Sequence, residues 1–80
     1  MRIFHENKNE TIKNILLCLT LEEARELRDS LNLIIKNKSQ IRHEHISDLD
    51  YSHEITITLY DEKKLEGFSS RIVRVIQEDE

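Results

Sequence analysis

The sequence predicts an α+β two-layer sandwich in which a four-stranded, mostly antiparallel sheet carries two helices on one face. Two observations predict this fold. Four short segments have strand-like patterns and form two pairs, each joined by polar turn residues. Each pair precedes a segment with apolar residues at helical spacing, so the expected order is ββαββα. A chain of 80 residues fits one small domain over residues 1–80, with a thin core.

The first predicted hairpin occupies the start of the chain. Residues 1–6 are expected to form a strand, and the polar run at 7–10 is typical of a hairpin turn. The second strand is predicted over residues 11–19. Its end, residues 15–19, is continuously apolar and is called the apolar segment below. Such a run indicates a strand that is covered on both faces, or a central strand of the sheet.

The helix predicted over residues 20–36 has the clearest local signals. Thr20 is a good N-cap, and Glu23 three residues later completes the sequence pattern of a capping box. The acidic first turn suits the positive end of the helix dipole. Apolar residues at helical spacing define the face that is expected to pack on the sheet: Leu21, Ala24, Leu27, Leu31, Ile34 and Ile35.

A second hairpin and a final helix are predicted in the remaining half of the chain. Residues 41–47 and 53–60 alternate apolar and polar side chains, which is typical of half-buried strands. The last helix is expected over residues 62–77 with Asp61 as its N-cap, although Gly67 inside it costs about 1 kcal/mol. Its predicted core face consists of Leu65, Phe68, Ile72, Val75 and Ile76.

Charge and composition narrow the range of partners and locations. The net charge is −4, with seven Lys/Arg against six Asp/Glu in residues 1–40 and five against ten in residues 41–80. An acidic chain with no basic stripe is not expected to bind nucleic acid, because cationic side chains must displace counterions from phosphates. No apolar run approaches the roughly 20 residues of a membrane span, and no signal peptide is recognisable, so no membrane contact and a cytoplasmic location are expected.

A His-x-His pattern on the third predicted strand is the most informative candidate site. His43 and His45 share one face of that strand, because side chains alternate. A hairpin centred near Leu49 would pair His45 with His53. All three imidazoles would then point to the face that carries the helices, near its rim. Neutral imidazole is a good zinc ligand, so one alternative makes His43, His45 and His53 metal ligands.

Two further alternatives remain for these histidines. They can form a pH-sensitive interaction patch, or they can cover the edge of a thin core. An isolated His-x-His pattern favours the second of these, the purely structural role. A metal would take its fourth ligand from Asp48, Asp50 or water, and either carboxylate would also suit the orientation of an imidazole. The predicted placement of the histidines depends on the register of the hairpin, since a shift by one residue moves one strand's side chains to the opposite face.

A second candidate site is the sheet face that points away from the helices. A solvated face should be mostly polar, and an apolar patch on it often marks a partner surface. The predicted interface residues are Ile12, Leu16, Cys18, Ile46 and Tyr60. We therefore expect a homodimer, or the docking of another protein, through this face.

These patterns predict a protein without chemistry of its own. The serines and histidines near residues 47–53 lack the glycine-containing elbow of a nucleophilic serine, so hydrolase activity is not expected. The predicted function is that of a small bacterial-type protein–protein interaction module that self-associates, without a cofactor. Two alternatives are a small metal-binding or metal-sensing domain that holds zinc, and an immunity-type inhibitor whose acidic surface covers a basic partner enzyme.

Overall fold

The computed structural model describes residues 1–37 and 43–80. In chain order its elements are β1 Phe4–His5, β2 Glu10–Thr11, α1 Leu21–Lys36, β3 His43–Ser47, β4 Glu54–Thr58 and α2 Ser70–Glu78. They divide between two compact units. The terminal unit consists of Met1–Leu17 and Asp61–Glu80, and the central unit consists of Cys18–Tyr60.

The predicted four-stranded sheet, and with it the two-layer sandwich, is wrong. The described strands form two separate two-stranded antiparallel sheets, β1–β2 and β3–β4. The cause lies in the second predicted strand, because β2 ends at Thr11 instead of continuing to residue 19. The apolar segment that follows has no regular secondary structure. A hairpin with two residues in each strand offers no long edge on which a further strand can pair.

The terminal unit is organised around the small β1–β2 hairpin. Phe4 pairs with Thr11, and the turn between the strands contains Asn9 in the left-handed region, with φ 54°. Asparagine tolerates this conformation better than most residues. Arg71 of α2 fixes the turn, because it donates hydrogen bonds to the side-chain oxygen of Asn9 at 2.6 Å and to its carbonyl at 2.9 Å. The guanidinium also lies 5.0 Å from the centre of the Phe4 ring, a cation–π contact.

The final helix begins eight residues later than the sequence predicts. Gly67 has a φ of 92°, which is incompatible with a helix, and Asp61 accepts a hydrogen bond from the Lys64 N–H in a tight turn. Helix α2 instead starts after Ser69, whose hydroxyl accepts a hydrogen bond from the Ile72 N–H. The predicted Asp61 cap is therefore wrong. The buried residues of α2 are Val75 and Ile76, both from the predicted core face.

Cationic side chains hold the C-terminal end of α2. Arg2 donates from Nε to the carbonyls of Val75 and Ile76, each at 3.1 Å, where the negative end of the helix dipole favours a cation. Asp79 follows the helix with a φ of 57°, and its carboxylate pairs with Lys13. The hydrogen bond from Lys13, assisted by the charge of Arg2, lowers the pKa of Asp79. This end of the chain is thus tied to the first residues of the same unit.

The central unit contains α1 packed on β3. The predicted capping box is confirmed, because the Glu23 N–H donates to the Thr20 hydroxyl at 3.2 Å and the Thr20 N–H donates to the Glu23 carboxylate at 2.9 Å. Ile34 of α1 is fully buried, and Ile46 of β3 is 4% exposed. These two isoleucines are the buried apolar core among the described residues of this unit.

Candidate functional site

The β3–β4 hairpin positions the histidines, and its register differs from the predicted one. His43 lies opposite Thr58 and His45 lies opposite Thr56, whereas the predicted pairing placed His45 opposite His53. The shift of three residues is odd, so it reverses the face to which the β3 side chains point. Ile46, opposite Ile55, now points into the core.

The predicted placement of the histidines on the helix-covered face is therefore wrong. His43 and His45 are exposed, and their ring centres lie 5.1 Å apart in an edge-to-face arrangement. The register of the β3–β4 hairpin depends on the connection between the two strands, and the sequence pattern does not specify that connection. There Tyr51 adopts a φ of 58°, and the Asp48 and His53 backbones close the loop with a hydrogen bond.

Polar neighbours from β4 hold the ring of His45. Its Nδ1 lies 2.9 Å from the Glu54 carboxylate and 2.9 Å from the Thr56 hydroxyl. Thr56 also donates to the same Glu54 oxygen at 3.3 Å. A carboxylate only accepts hydrogen bonds, so we assign the His45 proton to Nδ1, where it is donated to Glu54. This assignment leaves the lone pair of His45 on Nε2. The sequence pattern does not indicate Glu54 or Thr56 as site residues, because only the observed register brings them beside His45.

His53 belongs to a different cluster, at the turn. Its ring Nδ1 lies 2.6 Å from one carboxylate oxygen of Asp48, and the backbone N–H of His53 donates to the other carboxylate oxygen at 3.0 Å. These two hydrogen bonds hold the pKa of Asp48 well below its ordinary value, and the Asp48 carboxylate raises the pKa of His53. Within residues 1–37 and 43–80, no group of three metal-ligating side chains converges. The three predicted ligands are therefore split into the pair His43 and His45 and the separate His53.

A serine joins this turn, but not in the arrangement of a catalytic triad. The Ser52 hydroxyl lies 2.9 Å from Nδ1 of His53, the same ring nitrogen that contacts Asp48. A triad needs the serine on one imidazole nitrogen and the acid on the other. The histidine then takes the serine proton as a base, while the acid orients the imidazole ring. Asp50 accepts a hydrogen bond from the Ser52 hydroxyl at 2.9 Å. The cluster thus serves as a network of turn hydrogen bonds.

The turn cluster is expected to make stability depend on pH in both directions. The lowered pKa of Asp48 gives stabilisation that is present above the ordinary carboxyl value of 3.8 and is lost as the pH falls through the lowered pKa. The raised pKa of His53 gives stabilisation that is present below 6.5 and is lost as the pH rises through the raised pKa. The pair therefore stabilises the hairpin fully between about pH 4 and 6.5.

NMR titration of the His53 ring measures this coupling directly. We expect Asp48→Asn to lower the pKa of His53 towards its ordinary value. The substitution removes the carboxylate whose hydrogen bond is the largest cause of the raised pKa. Asp50→Asn is the matched control, with a smaller decrease, since Asp50 acts on His53 only through its charge at longer range. An unchanged titration of His53 in Asp48→Asn would contradict the assignment.

The predicted interface residues do not share one sheet face, because the sheet that would carry them does not form. Ile46 is buried in the central unit, so its predicted exposure is wrong. Ile12 and Tyr60 are half-buried, and the Ile12 N–H donates to the Ile3 carbonyl at 2.9 Å. Leu16 and Cys18 remain together in the exposed apolar segment.

The apolar segment is the second candidate site. Leu16 is 86% exposed, and the leucines and isoleucine at 15, 17 and 19 are also open to solvent. In the part of the chain that the structure describes, no backbone hydrogen bond involves residues 15–19. The segment therefore combines exposed apolar side chains with peptide groups that have no protein partner there.

Comparison with protein-family models, curated proteins and solved structures found no match for this chain. Neither described helix is long and apolar enough to cross a membrane.

Proposed function

We propose that this chain is a non-enzymatic interaction module of bacterial type that self-associates through the apolar segment. The observation that carries the proposal is that residues 15–19 combine exposed apolar side chains with peptide groups that make no backbone hydrogen bond to residues 1–37 or 43–80. The exposed thiol of Cys18 in this segment is compatible with a cytoplasmic setting, where thiols stay reduced.

The side chains of the apolar segment supply the driving force for association. Single exposed apolar residues are normal on protein surfaces, but here five in succession are exposed. Contiguous apolar surface of this kind is typical of a site that binds another protein. Each Å² of apolar surface removed from water contributes about 25 cal/mol to the free energy of association. The leucine side chains of the segment therefore dominate the expected gain in this free energy.

The backbone of the segment indicates the form of the partner. Peptide N–H and C=O groups in a row can pair with a second extended chain, which is the principle of strand addition. The segment contains no proline or charged residue that would block such pairing. An extended partner would therefore satisfy the peptide groups and cover the side chains together.

A second copy of the same chain meets both requirements. Each copy has net charge −4, and the segment is an uncharged stretch where two copies can meet without opposing like charges. A closed dimer needs a two-fold axis, so that the same surface is used by both copies. Antiparallel pairing centred on Leu17 gives the largest apolar overlap, with residue 15 opposite 19 and Leu16 opposite Cys18 of the second copy.

A disulfide experiment tests this pairing. Leu17 lies on the proposed two-fold axis, where directly opposite residues have Cβ atoms about 4.5–5.5 Å apart, near the spacing that a disulfide requires. We expect the variant Leu17→Cys/Cys18→Ser to form a covalent dimer under mild oxidation, as seen on a non-reducing gel. The matched control is Leu49→Cys/Cys18→Ser, because Leu49 is a fully exposed leucine outside the segment. Equal cross-linking of the two variants, or none at position 17, would refute the proposal.

A further inference from the structure

We propose that His43 and His45 form a binding site for a divalent transition-metal ion on the exposed face of the β3–β4 hairpin, with Glu54 as a positioning residue. This site differs from the one predicted from sequence, because it excludes His53 and includes a carboxylate from the opposite strand. It is also independent of self-association through residues 15–19.

The strand places the two imidazoles for a shared ligand. His43 and His45 are two positions apart on β3, so their side chains leave the same face. Their ring centres lie 5.1 Å apart, and both side chains are exposed. Small rotations of exposed rings can therefore bring a nitrogen of each to a common ion at about 2.0–2.1 Å.

The contact between Glu54 and His45 is the feature that indicates a metal ligand. The Glu54 carboxylate lies 2.9 Å from Nδ1 of His45 and fixes the proton there. Metal-binding histidines almost always donate their second ring N–H to a carboxylate or carbonyl in this way, which orients the ring and makes the other nitrogen more basic. Nε2 of His45 then carries the lone pair that a metal requires. Among the described residues, no hydrogen bond occupies this nitrogen or the ring of His43.

The ligand set defines the class of ion. Imidazole nitrogen suits Zn²⁺, Ni²⁺ and Cu²⁺ and not the oxygen-seeking Mg²⁺ or Ca²⁺. The described part of the chain offers no third ligand at this face, so water completes the coordination and the site stays open. For nitrogen ligands, affinity rises from Ni²⁺ to Cu²⁺ and falls again at Zn²⁺. We therefore expect Cu²⁺ to bind most tightly.

Calorimetric titration with Cu²⁺, Ni²⁺ and Zn²⁺ salts tests the site. The protein carries no affinity tag and has Cys18→Ser, so that neither a tag nor the exposed thiol binds the ion. We expect His43→Ala and His45→Ala each to weaken Cu²⁺ binding by at least about tenfold. His53→Ala is the matched control and should leave the affinity unchanged within about twofold. Equal losses in all three variants, or no binding by the parent protein, would overturn the proposal.

Glu54 is tested separately as a positioning residue. We expect Glu54→Gln to weaken binding roughly 10- to 100-fold. In the metal-free protein, ring nitrogen chemical shifts should show His45 protonated at Nδ1, and Glu54→Gln should shift the tautomer balance towards Nε2. Glu44→Gln, which removes the same charge from the other face of β3, should change neither quantity. Equal effects of the two variants would show a general charge effect and contradict the role of Glu54.

Discussion

Leu16→Glu is expected to convert the proposed dimer into a folded monomer. Burial of one leucine side chain is worth about 1.5–3 kcal/mol, and a two-fold contact loses two of them. The dimer should therefore weaken by about 3–6 kcal/mol, which is roughly 10²- to 10⁴-fold in Kd. Leu16 is 86% exposed within one chain, so the substitution should leave the fold of the monomer intact. Sedimentation velocity over a concentration series measures the change.

The matched control for this experiment is Leu49→Glu. Leu49 is likewise an exposed leucine, but it lies in the connection between β3 and β4. It receives the same change in charge and should retain the dimer. A parent protein that remains monomeric at the highest concentration, or a dimer that survives Leu16→Glu, would show that the apolar segment does not mediate association. Circular dichroism of both variants establishes that the helices persist.

Ile34→Ala is expected to cause the largest loss of stability within one chain. Ile34 is the fully buried side chain of α1, and its truncation removes transfer free energy and leaves a cavity. Such substitutions lower the free energy of unfolding by about 2–5 kcal/mol. A small unit has little other core to compensate for this loss, so Ile34→Ala should unfold at a clearly lower urea concentration.

The neighbouring residue on the same helix provides the control. Ile35 is 59% exposed, so Ile35→Ala should change the free energy of unfolding by less than about 0.5 kcal/mol. Both variants are best compared in the Leu16→Glu background, because the proposed association would stabilise the folded state by mass action. Equal destabilisation by the two substitutions would contradict the placement of Ile34 in the core.

Local signals explain which parts of the fold were predictable. The capping box at Thr20 and Glu23 is read from residues three apart, and α1 begins where it predicts. The turn at residues 7–10 likewise depends on neighbouring residues. The four-stranded sheet failed because strand pairing is non-local, and continuous hydrophobicity in the apolar segment does not specify a partner strand. The start of α2 was predicted too early, because the apolar residues have helical spacing but Gly67 adopts a positive φ that a helix does not allow.

The candidate sites were predictable to a similar, partial extent. The same-face relation of His43 and His45 follows from strand alternation and does not depend on the partner strand. Their neighbours depend on register, which is set by the backbone of the 48–53 connection, including the left-handed Tyr51. No local pattern indicates that a tyrosine adopts this conformation. Glu54 consequently became visible as a partner of His45 only in three dimensions.

The discontinuity of the terminal unit has a consequence for synthesis on the ribosome. The central unit, Cys18–Tyr60, is contiguous, so all of its residues emerge before Asp61 does. The terminal unit joins Met1–Leu17 to Asp61–Glu80, and its Arg71–Asn9 hydrogen bonds span 62 positions. Because the chain is made from its N-terminus, the central unit has all of its own residues available earlier than the terminal unit does. Met1–Leu17 must wait for α2, and the apolar segment stays accessible to chaperones and to other nascent chains throughout that interval.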